Sequence, residues 1–281
     1  MYPYIQELIN KYSIPIICNT HNVEWLYLER LAEKAHDKTA QKWLYKQAKL
    51  MKNVEIACFK KAAIVFACSA VDAALIKEMA PAVNVIVLPN GVDDSLLIVD
   101  DAIKRQPNTL LFTGNFNYEP NINGITLFLE HIFPIIQAKI PDTTVVIAGR
   151  NAGKQLKAWK NQKGIQLVDS PESMLPYYNA AAVFIAPLWE GSGTRLKIVE
   201  AMQMECALIS TEYAAEGLPI NHNKQALIAN DYQNFAEAVI LCLHNPELRQ
   251  KLIKEAKKTV KEGFTWKVIE SQLYNSLQQI N

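Results

Sequence analysis

The chain reads as an α/β protein built on parallel sheets, and three observations say so. From Leu110 onward, short apolar runs alternate with amphipathic stretches of helical length, the pattern of strands joined by crossover helices. Glycine directly follows two of those runs, at Gly114 and Gly149. A third run, Ala182–Ala186, leads through a loop holding Gly191 and Gly193 into a segment where Leu196, Val199 and Met202 recur at helical spacing. In open parallel sheets ligands bind outside the carboxyl ends of the strands. Gly114, Gly149 and the loop Glu190–Gly193 all fall at such ends.

The N-terminal part is expected to hold strands at Pro15–Asn19, Ile64–Cys68 and Asn84–Leu88, with a long helical segment from about Val23 to Lys61. Three strands beside so much helix make a poor independent core. The first strand also lacks the glycine turn that usually opens a doubly wound domain. The expectation is therefore a partial first domain over residues 1–95, the chain beginning partway through it. Residues 96–108, polar and acidic and then basic, read as a linker. The second domain, 109–263, should carry strands at Leu110–Thr113, Thr143–Ala148, Ile165–Val168, Ala182–Ala186, Ala207–Thr211 and Ala226–Ala229. Helices are expected at Gly124–Ala138, Met174–Ala181, after the Gly191/Gly193 loop, and at Asn234–His244 and Pro246–Glu262.

Bulk properties exclude several classes. Of the 281 residues half are hydrophobic, and the formal net charge is +1, so a nucleic-acid partner, which usually asks for a clearly basic domain, is not expected. No apolar run reaches the roughly 18–20 residues that cross a bilayer. The five cysteines are scattered and mostly sit in apolar runs, as reduced core residues of a cytosolic protein do. The five histidines show no ligand spacing, so no metal site is expected.

The segment Pro187-Leu-Trp-Glu-Gly-Ser-Gly-Thr-Arg-Leu-Lys-Ile-Val-Glu200 carries the most chemistry. A strand, a glycine loop and a helix N-terminus together form an anion site, because unpaired backbone N–H groups converge there. Arg195 and Lys197 stand in the first helical turn, where a cation opposes the helix dipole at a cost of roughly 0.3–1 kcal/mol. A bound phosphate would remove that conflict; two solvated surface charges are the alternative. Glu200, further along the helix, is close enough to accept hydrogen bonds from a sugar hydroxyl beside that phosphate.

Eight short segments occur in order: Thr20-His-Asn-Val-Glu24, Leu88-Pro-Asn-Gly-Val-Asp93, Phe112-Thr-Gly-Asn115, Val146-Ile-Ala-Gly-Arg150, the Pro187–Met202 motif, Ile209-Ser-Thr, Glu216-Gly-Leu and Phe264-Thr-Trp266. From about residue 15 to the end the chain resembles family-4 retaining glycosyltransferases of the GT-B fold. The resemblance implies two Rossmann-like domains with parallel sheets, the N-terminal one incomplete, facing a cleft. The first would hold the acceptor and the second a nucleotide-sugar donor. A last helix, within 264–281, would cross back to the first domain.

The resemblance also implies roles. His21 would contact the transferred sugar and, with Glu200, stand at the catalytic positions. Glu200 matches the second glutamate of the Glu-x7-Glu motif, which holds the donor ribose. The first glutamate falls at Ser192, so the strict motif is broken, and Glu190 lies two residues early. Gly114, Asn115, Gly149, Arg150, Glu190, Ser192, Gly193 and Thr194 complete the donor-binding set with Arg195 and Lys197. Many members carry an arginine and a lysine after the glycine matching Gly114. The stretch Asn117–Asn121 offers no cation here, which leaves Arg195 and Lys197 as replacements. Glu205, where a glycine often ends the helix, reads as a change of cap.

The expected function is transfer of a sugar, with retention at the anomeric carbon, from a UDP- or GDP-sugar co-substrate to a glycan or lipid-linked acceptor. No cofactor or metal is implied. The alternatives are a nucleotide-sugar-binding protein without transfer activity and a sugar-nucleotide epimerase on the same scaffold. Finally, Lys38, Lys42, Lys46 and Lys49 share one face of a predicted helix whose apolar Leu44, Tyr45, Leu50 and Val54 lie mostly off that stripe. A basic outer face of this kind is either an ordinary solvated surface or a contact with an anionic membrane, consistent with a cytoplasmic protein peripheral to the inner membrane face.

Overall fold

The computed structural model describes residues 11–12, 14–93, 98–100, 102–191, 193–278 and 280. The chain divides into two compact units. The first comprises Met1–Asn90, Gly191–Thr194 and Ile269–Asn281, and the second Gly91–Glu190 and Arg195–Val268. No described helix is long and apolar enough to cross a membrane.

The first unit is a parallel three-stranded sheet in the order β1 (Ile17–Thr20), β2 (Ile64–Ala67), β3 (Val85–Val87). The central strand is apolar at every position and buried at every position, as a strand covered on both faces must be. The long segment read as helical is two helices, α1 (Glu24–Lys34) and α2 (Lys38–Phe59). They part at Asp37, whose carboxylate caps α2 by accepting from the amides of Thr39 and Ala40. The start of α1 has no side-chain cap of its own. Instead Glu55 of α2 accepts from the amides of Glu24 and Trp25, both at 3.1 Å. A further helix, α3 (Ala70–Met79), capped by Ser69, went unread in the sequence because its apolar residues barely segregate to one face. Val23, Trp25, Phe59, Val65, Ala67, Ile76 and Val83 form the core of this unit.

The second unit is a six-stranded parallel sheet. Its strands are β4 (Gln106–Thr113), β5 (Thr144–Gly149), β6 (Ile165–Asp169), β7 (Ala181–Ala186), β8 (Ala207–Ser210) and β9 (Ala226–Ile228). Their spatial order is β6-β5-β4-β7-β8-β9. The order reverses at β4, between β5 and β7, and that switch point is where a doubly wound sheet opens a crevice. Around the sheet lie α4 (Glu119–Leu127), α5 (Phe133–Lys139), α6 (Ala152–Gln155), α7 (Leu175–Ala180), α8 (Leu196–Gln203), α9 (Glu212–Ala215), α10 (Tyr232–His244) and α11 (Pro246–Gly263), and the chain ends in α12 (Trp266–Leu277). From Ile269 on, α12 groups with the first unit.

Three departures from the sequence reading have local causes. The helix expected at Gly124–Ala138 starts earlier, with Pro120 in its first turn, and widens into a π-turn over Phe128–Ile132 before α5. Pro134 offers no amide to the carbonyl of Glu130, and the wider turn absorbs that missing bond. The described residues of the expected linker 96–108 are drawn onto the second unit. The Asp100 amide donates to Asn179, and the Arg105 guanidinium donates to the carbonyls of Ala181 and Met204, both at 2.6 Å. Strand β4 then begins at Gln106, within the expected linker. Lastly, Glu205 takes a left-handed φ of 56° just beyond α8 and pairs with Lys257, so the cap geometry favoured by glycine is kept without one.

Candidate functional site

The site is assembled at the carboxyl ends of β4, β5 and β7. Strand β4 ends at Thr113 and runs into Gly114; β5 ends at Gly149. These two turns touch: at Gly149, with φ of 143°, an added Cβ would come within 1.9 Å of the Gly114 carbonyl oxygen. Glycine is required there, and the bare backbone of both turns lines the crevice. Helix α4 is drawn in by Gly124, where a Cβ would meet the Pro187 carbonyl oxygen at 2.4 Å. That close approach brings the N-terminal turn of α4, and Asn121 with it, against the loop after Gly114.

A cavity of about 350 Å³ results, lined among others by Thr113, Gly114, Asn115, Asn121, Gly149, Tyr178, Arg195, Lys197 and Glu200. It lies wholly within the second unit. Its charged members come from the start of α8. Arg195 precedes the helix in extended conformation and has no side-chain cap bond to offer it. It is only 8% exposed, its guanidinium 5.2 Å from the Tyr213 ring, so it is not a solvated surface charge. Lys197 turns its Nζ inward. It donates to the Thr113 carbonyl at 2.9 Å and to Asn121 Oδ1 at 2.6 Å, and lies 4.2 Å above the Phe112 ring. Burial, with Arg195 nearby, brings its ammonium down to about 7; Glu200 pulls the other way. Asn121 completes this arm by donating from Nδ2 to the Asn115 carbonyl at 2.9 Å.

Glu200 stands one turn further along α8, half-buried. Its Oε2 accepts a hydrogen bond from the Tyr178 hydroxyl at 2.9 Å, and that phenol lies 3.2 Å from the Thr113 hydroxyl. Tyr178 is buried, and burial together with the Glu200 charge raises its pKa well above the usual value. The phenol therefore remains a donor. It holds one carboxylate oxygen of Glu200, itself a lining residue of the cavity. A cationic pair, a carboxylate 3–5 residues later and bare backbone at two strand ends suit a phosphate next to a group rich in hydroxyls.

Of the residues expected in the site, Gly114, Asn115, Gly149, Arg195, Lys197 and Glu200 come together. The other described ones are not among its lining residues. Arg150 follows β5 with an exposed side chain, and its carbonyl accepts from the Phe116 amide. Glu190 accepts from Asn123 Nδ2 at 2.7 Å and is not among the lining residues. Gly193 and Thr194 group with the first unit, and so does His21. His21 follows β1 with an exposed side chain, which makes it neither a core histidine nor the cap of α1. Ser192 lies outside the described residues. Among the described residues no three His, Cys, Asp or Glu side chains gather as metal ligands.

Asn121, Met174 and Tyr178 line the cavity without having been expected there. Asn121 supplies no cation, as its stretch of sequence says; its value is that it can accept from a lysine and donate to a carbonyl at once. A signal for Tyr178 existed. It is a phenol in a short helix leading into a fully buried strand, and a buried hydroxyl needs a partner.

A doubly wound sheet with a cation-lined crevice at its switch point, in a chain of two Rossmann-like units, defines the GT-B glycosyltransferase fold. The comparisons with known proteins are more particular. The family described as "Glycosyl transferases group 1" matches residues 107–245, a stretch that includes the residues lining the cavity. A protein of Klebsiella pneumoniae, described as an uncharacterized 44.6 kDa protein in the cps region, is 28% identical over 173 residues. That match takes in 59% of this chain and 45% of the relative, so the chain spans about half the length of the curated relative it matches.

Solved structures agree on the fold. Sucrose-phosphate synthase from Thermosynechococcus elongatus superposes with a TM-score of 0.75 at 17% identity, over 98% of this chain and 71% of that one. TarM of S. aureus, in complex with fondaparinux, alpha-GlcNAc-glycerol and UDP, gives a TM-score of 0.70 at 15% identity, over 93% and 50%. HepE of Anabaena, in complex with UDP and glucose, gives 0.69 at 13%, over 95% and 72%.

Proposed function

We propose that this protein is a retaining glycosyltransferase that takes a sugar from a UDP-sugar, or failing that a GDP-sugar, and passes it to a glycan or lipid-linked acceptor. The observation that carries the proposal is the convergence of Arg195 and Lys197 with Glu200 in one crevice at the β4 switch point. UDP is named in the titles of the TarM and HepE complexes, which is the reason to rank it first.

In this reading the diphosphate lies against Lys197, Arg195 and the backbone of Gly114 and Gly149, and the ribose hydroxyls donate to Glu200. Departure of the diphosphate is the demanding step. Its charge spreads over oxygens that fixed cations stabilise in a place poor in water. The acceptor hydroxyl can give its proton to the departing phosphate, so no strong carboxylate base is needed, and the two cations do the charge work that a metal would otherwise supply. His21, exposed at the end of β1, would offer its ring to a hydroxyl of the transferred sugar, with the amides of Gly193 and Thr194 completing the donor contacts. The lysines of α2 would hold the enzyme near an anionic leaflet, where a lipid-linked acceptor would be anchored.

The test is calorimetry with UDP and GDP, followed by incubation with UDP-glucose and UDP-N-acetylglucosamine with and without EDTA. Product configuration is read from the anomeric proton coupling. Binding of neither nucleotide at millimolar concentration sinks the proposal. Binding without transfer or hydrolysis leaves a nucleotide-sugar-binding protein. An inverted product refutes retention, and loss of activity in EDTA refutes metal independence.

A further inference from the structure

The sequence scatters its five cysteines, but folding of the first unit brings two of them together. Cys18 lies on β1 and Cys58 near the end of α2, separated by 40 positions in the chain, and their Sγ atoms stand 3.8 Å apart. Both side chains are half-buried, so a small reagent can reach them. Cys206 and Cys242, in contrast, are buried in the second unit, and Cys68 is buried behind the Thr20 carbonyl and Asp72. The five thiols thus differ in a way their sequence contexts do not show.

We propose that Cys18 and Cys58 are a reversible redox modification site that closes to an intramolecular disulfide and pins α2 to β1. A disulfide needs an S–S separation near 2.05 Å. From 3.8 Å that closure asks for side-chain rotation and a small shift between strand and helix, with no refolding. The chemistry needs an oxidant, and hydrogen peroxide is the class that balances it. The Cys58 sulfur attacks one peroxide oxygen, the O–O bond breaks, and sulfenic acid and one water result. The Cys18 sulfur then attacks the sulfenic sulfur, the S–O bond breaks, and the disulfide and a second water form. Two thiols lose two electrons and two protons, and one peroxide becomes two waters.

The order of attack follows from the pair itself. A thiol at Cys18 can donate a hydrogen bond to a thiolate at Cys58, which brings the Cys58 thiol down to about 7 against the opposing effects of burial and of Glu55. The same arrangement, with burial, raises Cys18. Cys58 is therefore the thiol of the pair that ionises first, and Cys18 the resolving thiol. Closure would tie the last turn of α2 to a strand that ends one residue before His21.

The experiment treats the full chain with hydrogen peroxide, quenches it, and titrates thiols in denaturant. The expected result is three titratable thiols in place of five, a mass loss of 2 Da, and a tryptic peptide linking Cys18 to Cys58, all reversed by dithiothreitol. Hydrogen exchange of the amides of 17–20 and 56–59 should slow in the oxidised protein. C18S and C58S should each keep all four remaining thiols free of intramolecular disulfide, while C68S should still lose two. The proposal is overturned if wild type retains five thiols, if oxidation stops at sulfenic or sulfinic acid, or if the linked peptide joins two chains. Nucleotide binding is measured on the same samples, and its outcome bears on the proposed function alone.

Discussion

Lys197→Met is the sharpest perturbation of the site. Methionine keeps an unbranched apolar stem over Phe112 and removes only the ammonium. In the resting protein that ammonium donates to the Thr113 carbonyl and to Asn121. It titrates near 7, far below an ordinary lysine, because burial and Arg195 disfavour its charge. A diphosphate entering the cavity reverses that balance and holds the lysine charged. A hydrogen bond between charged groups contributes about 1.5–3 kcal/mol, so K197M should bind UDP roughly 10- to 150-fold more weakly, at about 1.4 kcal/mol per decade.

The pH dependence of the wild type is the more diagnostic part. Below about 7 the free protein already carries the charge, and affinity is flat with respect to this group. Above it, the free lysine is neutral while the bound one stays protonated, so each binding event takes up a proton and affinity falls about tenfold per pH unit. The second ionisation of a phosphate, near 6, is about nine-tenths complete by pH 7 and adds little to the fall above it. Calorimetry from pH 7 to 9 in buffers of different ionisation enthalpy measures both the fall and the proton uptake. In K197M the fall should vanish. A wild-type affinity that is level across this range, or a variant that binds as tightly as the parent, would show that the lysine is not at the phosphate.

Other outcomes follow from the same geometry. Glu200→Gln keeps the shape and loses the charge, so UDP affinity should drop about five- to tenfold, on the order of 1 kcal/mol for the difference between a charged and a neutral hydrogen bond; 2′-deoxy-UDP should suffer less, and equal losses would place Glu200 away from the ribose. Tyr178→Phe removes the phenol that holds Glu200, so the ribose preference should narrow while the fold survives with a loss of about 1 kcal/mol in urea unfolding; an unchanged preference would make Tyr178 a packing residue only. On α2, Lys38, Lys42, Lys46 and Lys49 are all exposed, and exposed Trp43, at 59%, with Tyr45, Leu50 and Val54 makes the outer surface mixed instead of purely basic. Replacing the four lysines by glutamine should abolish co-sedimentation with anionic vesicles at low salt, at about 1 kcal/mol per lysine; parent protein that stays in the supernatant refutes the membrane contact.

What the sequence determined by itself is what depends on neighbours along the chain. Ala181–Ala186 is apolar without a break, because a strand covered on both faces has no polar side to show. Gly149 ends β5 because its φ of 143° tolerates no side chain, and that requirement is written at a single position. The helix after the Gly191/Gly193 loop, and with it the adjacency of Arg195, Lys197 and Glu200, was legible from spacing alone.

Only the tertiary structure decided where those side chains point and what they touch. Lys197 bonds to groups 84 and 76 positions away, and Glu200 is held by a tyrosine from another helix. Asn121 looked idle in the sequence because its neighbours along the chain give it nothing to do. Cys18 and Cys58 looked unrelated for the same reason. Local periodicity reports which face of an element is buried, whereas burial of a charge or a thiol, and hence its pKa and its reactivity, is set by whatever the sheet order brings alongside it.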